Sequence, residues 1–388
     1  MTQRHSRILL FVVNTPEFFL SHRLPIAIAA HKAGYEVHVA SAEGDGVQAV
    51  LAHGFVHHSI GFARSGQNPW VEFRTLVSLV QVMRRVQPDI VHLITIKPVL
   101  YGGIAARLVR VPAVVSAVSG LGTVFLAHTW ATRLRRWFII ELYKAAFKQR
   151  SLAVIFQNPD DRDTLISSGA IQSGDTRMIR GSGVSLDDYP CVTEPEGKPV
   201  AVMAARLLRN KGVVEFVGAA RILRDRGVDV DMRLIGSPDL DNPASVTELE
   251  LERWKSESVV TLMGYRKDIA HQYASSNIVC LPSYYGEGLP KSLVEAAACG
   301  RAVVTTDHPG CRDAILPDET GVLIPIKDSV ALANAIQRLI ENPDLRRKMG
   351  KAGRELAEEA FSIDQIVEQH LKIYDEVMAT VRNGSLRQ

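Results

Sequence analysis

Short apolar runs of strand length alternate with helix-patterned segments along nearly the whole chain, and the alternation stops once and restarts. Residues 8–13 (Ile-Leu-Leu-Phe-Val-Val) form the first run, closed by Asn-Thr-Pro. A helical pattern over about residues 21–33 ends at Gly34, and residues 35–40 form the next strand. A helix over 73–86, a strand over 90–95, a helix over 99–109, a strand over 113–118, a long basic helix and a strand over 152–157 continue the cycle. Apolar strands joined by helical crossovers build a parallel sheet with helices on both faces, and the loops leaving the carboxyl ends of its strands form the ligand crevice.

The pattern breaks between residues 181 and 199, where Gly181, Gly183, Pro190, Pro195, Gly197 and Pro199 mark a linker. A second alternation follows: strands over 200–205, 232–235, 259–263, 277–282 and 302–306, with helices over 213–226, 246–256 and 269–274. The expected fold class is therefore α/β, two doubly wound Rossmann-like domains facing across a cleft, where ligand pockets commonly lie. The domains are read as residues 1–185 and 186–362. Ile363, Ile366, Val367, His370, Tyr374, Val377 and Met378 then line one face of a last helix, and the polar end 383–388 reads as frayed.

Bulk properties exclude several classes. The net charge of +3 gives no nucleic-acid partner to expect, and attraction to anions must come from a local patch. No run of eighteen apolar residues exists to cross a membrane, and no export signal precedes residue 8, so a cytoplasmic chain is expected. Cys191, Cys280, Cys299 and Cys311 lack metal-type spacing and read as reduced core residues.

Residues 284–300 carry the strongest chemical signal. A buried strand passes through a loop containing Gly286 and Gly288 into a helix ending at Gly300, with Pro290 suited to its first turn. Exposed N–H groups at such a start favour an anion. Glu287 and Glu295 bracket it; across helix they would stand up to ~12 Å apart. That is too far for an acid/base pair on one bond, but suits gripping the two ends of a nucleotide sugar. A second motif, residues 204–213, places Arg206 and Lys211 after the second domain's first strand, where a guanidinium and an ammonium can meet phosphate oxygens. The alternative for Arg209 and Lys211 is a solvated helix start. Asp229, Asp231, Asp239 and Asp241 mimic a metal-binding D-x-D but read as surface turn chemistry, so no metal is expected.

Arg206…Lys211-Gly212 followed by Glu287-x7-Glu295 resembles the donor site of the retaining family 4 glycosyltransferases of GT-B fold. With residues 8–13, Phe18-Phe19-Leu20-Ser21-His22-Arg23, Lys97-Pro98 and Glu287-Gly288-Leu289-Pro290-Lys291-Ser292, the chain looks most like bacterial enzymes that extend polyprenyl-diphosphate-linked oligosaccharides. The resemblance implies transfer of a hexose or N-acetylhexosamine from a UDP-sugar to such an acceptor, in surface polysaccharide synthesis, without metal or other cofactor. It implies that Arg206 and Lys211 hold the diphosphate and stabilise its departure. Glu287, Gly288, Leu289, Pro290 and Lys291 would meet the sugar and phosphate, Glu295 the ribose hydroxyls, and Tyr265 and Arg266 the base. Residues 1–185 would take the acceptor, with a helix over 363–382 crossing back to them. Fixed cations at a leaving diphosphate stabilise the transition state more than the ground state.

On the acceptor side the candidates are Glu17, His22, Arg23, Lys97, Ser119 and Gly120. Many family members carry a histidine where residues 118–125 have none before His128, and the first loop lacks the usual glycine pair. Acceptor deprotonation is left to Glu17, His22, His92 or the leaving phosphate itself. Residues 133–150 hold six basic residues and one acid among Trp, Phe and Tyr. They read either as an interfacial helix on anionic lipid, placing the protein peripherally on the inner face of the cytoplasmic membrane, or as a packing helix with snorkelling arginines. His53, His57 and His58 read as surface. A sugar-nucleotide epimerase or hydrolase and a non-catalytic two-lobed binding protein are the alternatives; a dehydrogenase would need G-x-G-x-x-G after the first strand, which is absent.

Overall fold

The computed structural model describes residues 6–62, 69–122, 130–239 and 241–385. Its chain divides into two compact units, Met1–Ser182 with Asp364–Gln388, and Gly183–Ile363.

Unit 1 runs β1 (Arg7–Val12), α1 (Pro16–His22), α2 (Leu24–Lys32), β2 (Tyr35–Ser41), α3 (Val47–Ala52), β3 (Val56–Ser59), α4 (Pro69–Val86) and β4 (Ile90–Ile94). A π-turn at Pro98–Gly102 leads into α5 (Gly103–Val109), then β5 (Ala113–Val118), α6 (Trp130–Phe147), β6 (Leu152–Phe156), α7 (Pro159–Ser167) and β7 (Thr176–Met178). The parallel sheet has the order β3-β2-β1-β4-β5-β6-β7. Alternate residues of each strand feed opposite cores. Leu9 and Phe11 pack with Ile366, Ile373, Tyr374 and Val377 of the C-terminal helix, Ile363–Ser385. Leu10 and Val12 pack with Leu79 of α4, Ala105 of α5 and Tyr143 of α6.

Three expectations change here. The helix expected over 21–33 is two helices: α1 starts at Pro16 behind the N-cap Thr15, and the chain bends at Arg23 (φ −131°) before α2. Pro25 causes the break, because it has no N–H for the carbonyl of Ser21. His57 and His58 are half-buried edge-strand residues, bonded to Ser41 Oγ and His38 Nδ1, each at 2.9 Å. The C-terminal helix continues to Ser385, so residues 383–385 are helical, not frayed.

Unit 2 runs β8 (Val200–Ala204), a 3₁₀ turn at Arg209–Lys211, α8 (Val213–Asp225), β9 (Asp231–Ile235), α9 (Glu248–Glu257), β10 (Thr261–Gly264), α10 (Ile269–Ala274), β11 (Ile278–Leu281), α11 (Lys291–Ala298), β12 (Ala302–Thr306), β13 (Gly321–Ile324), α12 (Ser329–Glu341) and α13 (Pro343–Ala360). Its parallel sheet is ordered β10-β9-β8-β11-β12-β13, so the winding reverses between β8 and β11. The central strands β8 and β11 are continuous apolar runs because helices cover both faces. Cys280, Cys299 and Cys311 are buried, whereas Cys191 is exposed, contrary to its reading as core. All four thiols are free.

Candidate active site

In a doubly wound sheet the ligand crevice opens where the strand order reverses. In unit 2 that point lies between β8 and β11, and the two motifs leave these adjacent strands side by side. Tyr284 N donates to Asn210 O at 2.9 Å. Gly212 (φ +83°) packs so closely that a Cβ would lie 2.1 Å from Pro282 O, so only glycine fits. This contact sets Lys211 against Glu287, 76 residues later: Nζ donates to Oε2 at 2.5 Å. Ser283 Oγ donates to Glu287 Oε1 at 3.1 Å, and Lys211 Nζ stands 5.4 Å from the Tyr285 ring centroid. The Lys211 and Glu287 side chains are only 12% and 17% exposed, so Lys211 is not part of a solvated helix start.

Arg206 lies nearby in sequence, half-exposed, donating from Nη1 to Asp239 Oδ2 at 2.8 Å. Gly236 brings that aspartate in: a Cβ there would meet Ala205 O at 1.9 Å, so the loop after β9 lies directly on the loop after β8. Asp239 is therefore not idle turn chemistry; it holds one of the two cations expected at the diphosphate. Asp229 pairs with Lys198, and Asp231 with Arg233. Among the described residues no three His, Cys, Asp or Glu side chains gather as a metal site would need. Arg209 is committed to a two-pronged bond with Glu250, the capping-box residue of α9.

Glu295 sits on α11, buried, accepting from Tyr189 Oη at 2.6 Å with Lys291 Nζ at 3.6 Å. Burial raises its pKa, against the opposing pull of Lys291 and the Tyr189 bond. The helix is shorter than the spacing implied. Pro290 is its N-cap rather than a first-turn residue, and Glu287 lies in the loop before it, so the helical ~12 Å span does not apply. The α11 start has no side-chain cap and no acid in its first turn, leaving the positive end of the dipole for an anion. Leu289 anchors the loop in the core. Gly310 backs it, since a Cβ there would stand 2.2 Å from Gly288 O. Tyr265, 71% exposed, and Arg266, bonded twice to Asp268, follow β10 on the same sheet edge.

Unit 1 treats its candidates unevenly. Arg23 is buried beside the C-terminal helix, its Nη1 on His22 O at 2.9 Å and its Nε without a partner; burial lowers the guanidinium to about 10. It cannot reach a ligand, and its acceptor-side reading is corrected. His92 is likewise a core residue, its Nδ1 2.7 Å from Tyr374 Oη, which removes it as a base. The carboxylate of Glu17 accepts from Gly46 N at 3.0 Å, and His22 stacks on Phe18 with ring centroids 4.1 Å apart. Lys97 pairs with Glu72 at 2.6 Å. At the β1/β4 reversal, Asn14 Oδ1 and Thr95 Oγ1 are enclosed without partners, as is Ser119 Oγ after β5. Thr95 has φ +75° and Gly120 +109°. Asn14, Thr95 and Tyr189 carry no local motif, and only the placement of Asn14 and Thr95 just beyond apolar strands could have flagged them; the D-x-D at Asp239 points to turn chemistry, not to Arg206.

The basic helix divides. Tyr143 and Phe147 of α6 are core, while Leu134, Trp137 and Phe138 are exposed, as are Trp70 and Phe73 of α4. His128 and residues 123–125 lie outside the described residues. No helix among the described residues is long and apolar enough to cross a membrane.

Residues 7–158 match the family described as glycosyl transferase 4-like, and residues 190–356 the one described as glycosyl transferases group 1. The chain is 30% identical to the N,N'-diacetylbacillosaminyl-diphospho-undecaprenol alpha-1,3-N-acetylgalactosaminyltransferase of Campylobacter jejuni, over 94% of this chain and 99% of the relative. It is 24% identical, over 78% of the chain and 79% of the relative, to the UDP-Gal:alpha-D-GlcNAc-diphosphoundecaprenol alpha-1,3-galactosyltransferase of Escherichia coli. In fold it is similar to Anabaena HepE in complex with UDP, with a TM-score of 0.74 at 21% identity over 95% of this chain and 100% of that one. Two Rossmann-like units with these matches across both make the chain a GT-B protein that belongs to the family 4 glycosyltransferases.

Proposed function

We propose that the chain moves a hexose or N-acetylhexosamine, with retention, from a UDP-sugar to a polyprenyl-diphosphate-linked saccharide in the assembly of a bacterial surface polysaccharide. The observation that carries this reading is the Lys211–Glu287 pair at the β8/β11 reversal, next to Arg206 on Asp239. Without a ligand each cation is held by a carboxylate; an arriving diphosphate takes over both. As the sugar–phosphate bond breaks, negative charge grows on the leaving oxygen, and cations fixed there lower the barrier. The cations of the chain itself supply this charge, so no metal or cofactor is required in the proposal. Glu287, freed from Lys211, faces the sugar, and Glu295 takes the ribose hydroxyls. The leaving phosphate accepts the acceptor's proton. The names of both relatives, each acting on a diphospho-undecaprenol acceptor, support this acceptor class.

Acceptor contacts fall to unit 1, through Lys97, Ser119, Gly120, Glu17 and His22. Peripheral contact with an anionic membrane on its cytoplasmic side is assigned to the exposed part of α6, where Arg133, Arg135 and Arg136 surround Leu134, Trp137 and Phe138. The exposed aromatics of α4 add to it. The test is UDP release from a panel of UDP-sugars with and without a polyprenyl-diphosphate disaccharide, in chelator. Release only with acceptor, insensitive to chelator, is the expected result; equal release without acceptor makes the protein a hydrolase and overturns the proposal.

A further inference from the structure

Tyr189 lies outside every motif, in the irregular segment before β8, yet it makes the shortest hydrogen bond to Glu295. Its hydroxyl donates to Oε1 at 2.6 Å, across 106 residues of sequence. Its backbone is pinned as well: Arg354 Nη1 of α13 donates to Tyr189 O at 3.0 Å and to Ala298 O, at the end of α11, at 2.8 Å. One arginine therefore fixes the tyrosine to the helix that carries the glutamate. Among the described residues no hydrogen bond is made to Glu295 Oε2, and the side chain keeps 10% of its surface exposed, so this oxygen is the one left for a ligand.

We infer that Tyr189 is a positioning residue for the nucleotide's ribose: it occupies Oε1 of Glu295 and so presents Oε2 to the vicinal diol. The inference rests on the proposed role of Glu295 at the ribose. A carboxylate binds two hydroxyls well only if it is ionised and held in one rotamer. Tyr189 contributes to both, by donating to the buried oxygen and by restraining the side chain. Burial keeps the phenol protonated, so it remains a donor. The other groups facing the glutamate are Lys291 on its own helix, Tyr273 of α10 and Cys299 at the end of α11. Burial raises the pKa of both Tyr273 and Cys299, leaving Lys291 as the one charged neighbour among them.

The experiment compares binding of UDP and 2′,3′-dideoxy-UDP to the full chain by calorimetry, in wild type, Tyr189→Phe and Glu295→Ala. Tyr189→Phe removes one oxygen and keeps the ring, and its melting temperature reports folding. The expected result is a loss of about tenfold in UDP affinity with dideoxy-UDP unchanged. The donor KM should rise with kcat held. The loss of UDP affinity on acidification should also begin at higher pH than in wild type, because a carboxyl without its donor protonates more easily. If Glu295→Ala loses the preference for UDP while Tyr189→Phe keeps wild-type values, or weakens both nucleotides equally, the role of Tyr189 is overturned and that of Glu295 stands. If Glu295→Ala itself keeps the preference, the ribose reading falls and takes this inference with it.

Discussion

The two units reverse their winding at equivalent places, β1/β4 in one and β8/β11 in the other, but fill them differently. In unit 2 the reversal holds matched charges, Lys211 on Glu287 and Arg206 on Asp239, in loops locked by Gly212 and Gly236. In unit 1 the same place holds neutral polar atoms, on Asn14 and Thr95, that have no partner among the described residues, while the buried cation Arg23 sits in the core beside His92, His370 and Tyr374. The same sheet thus makes a charged anion site once and a neutral polar one once. Fold sets where ligands bind, and the loops decide which ones.

The sharpest way to break this contrast is Lys211→Ala. It removes the cation facing the leaving group and strands Glu287, and should cut kcat about 10³-fold in a UDP-sugar turnover assay while the protein stays folded. A smaller, opposite test concerns acid. Burial lowers the His370 imidazole to about 3 and holds His92 well below the usual histidine range. Both are neutral in the folded state but take up a proton on unfolding below about pH 6.5. Stability is thus present above pH 6.5 and lost as pH falls, by roughly 2 kcal/mol per histidine at pH 5. In unit 2, burial raises Glu295, which acts in the other direction. Hydrogen exchange at pH 7 and pH 5 should show β1 and β4 losing protection before β8 and β11; the reverse order would contradict the account.

Two weaker effects separate the units functionally. Lys97→Ala should raise the acceptor KM about tenfold and leave UDP affinity unchanged. Asp239→Asn frees Arg206 from a half-exposed partner, so UDP should bind about two- to fivefold tighter, in line with the small worth of exposed pairs. Tighter acceptor binding without tighter UDP binding would place Asp239 elsewhere in the reaction.

The fold is legible because the central strands of both sheets are buried on both faces, which makes runs such as 8–13 and 278–281 continuously apolar. The elements that leave no pattern in the sequence do so for physical reasons. The edge strand β3, Val-His-His-Ser, is polar because one side meets solvent, and β7 is only three residues long. Pro25 stood in plain view inside the helix expected over 21–33 and marks its break. Lys211, Glu287, Arg206 and Glu295 were identifiable from motifs, but their partners were not all so. Asp239 reaches Arg206 across 33 residues and Tyr189 reaches Glu295 across 106, pairings that only the packed loops create. In sequence Arg23, beside a polar loop, reads as an exposed cation, whereas the turn into α2 carries it inward.

The central claim is that Lys211 exchanges Glu287 for the nucleotide's diphosphate. Calorimetric titration of wild type and Lys211→Met with UDP and with uridine tests it directly. The account predicts that UDP affinity falls at least about thirtyfold in the variant, as loss of a charge-assisted phosphate contact implies, with uridine binding unchanged. Equal UDP affinity in the two proteins would contradict it.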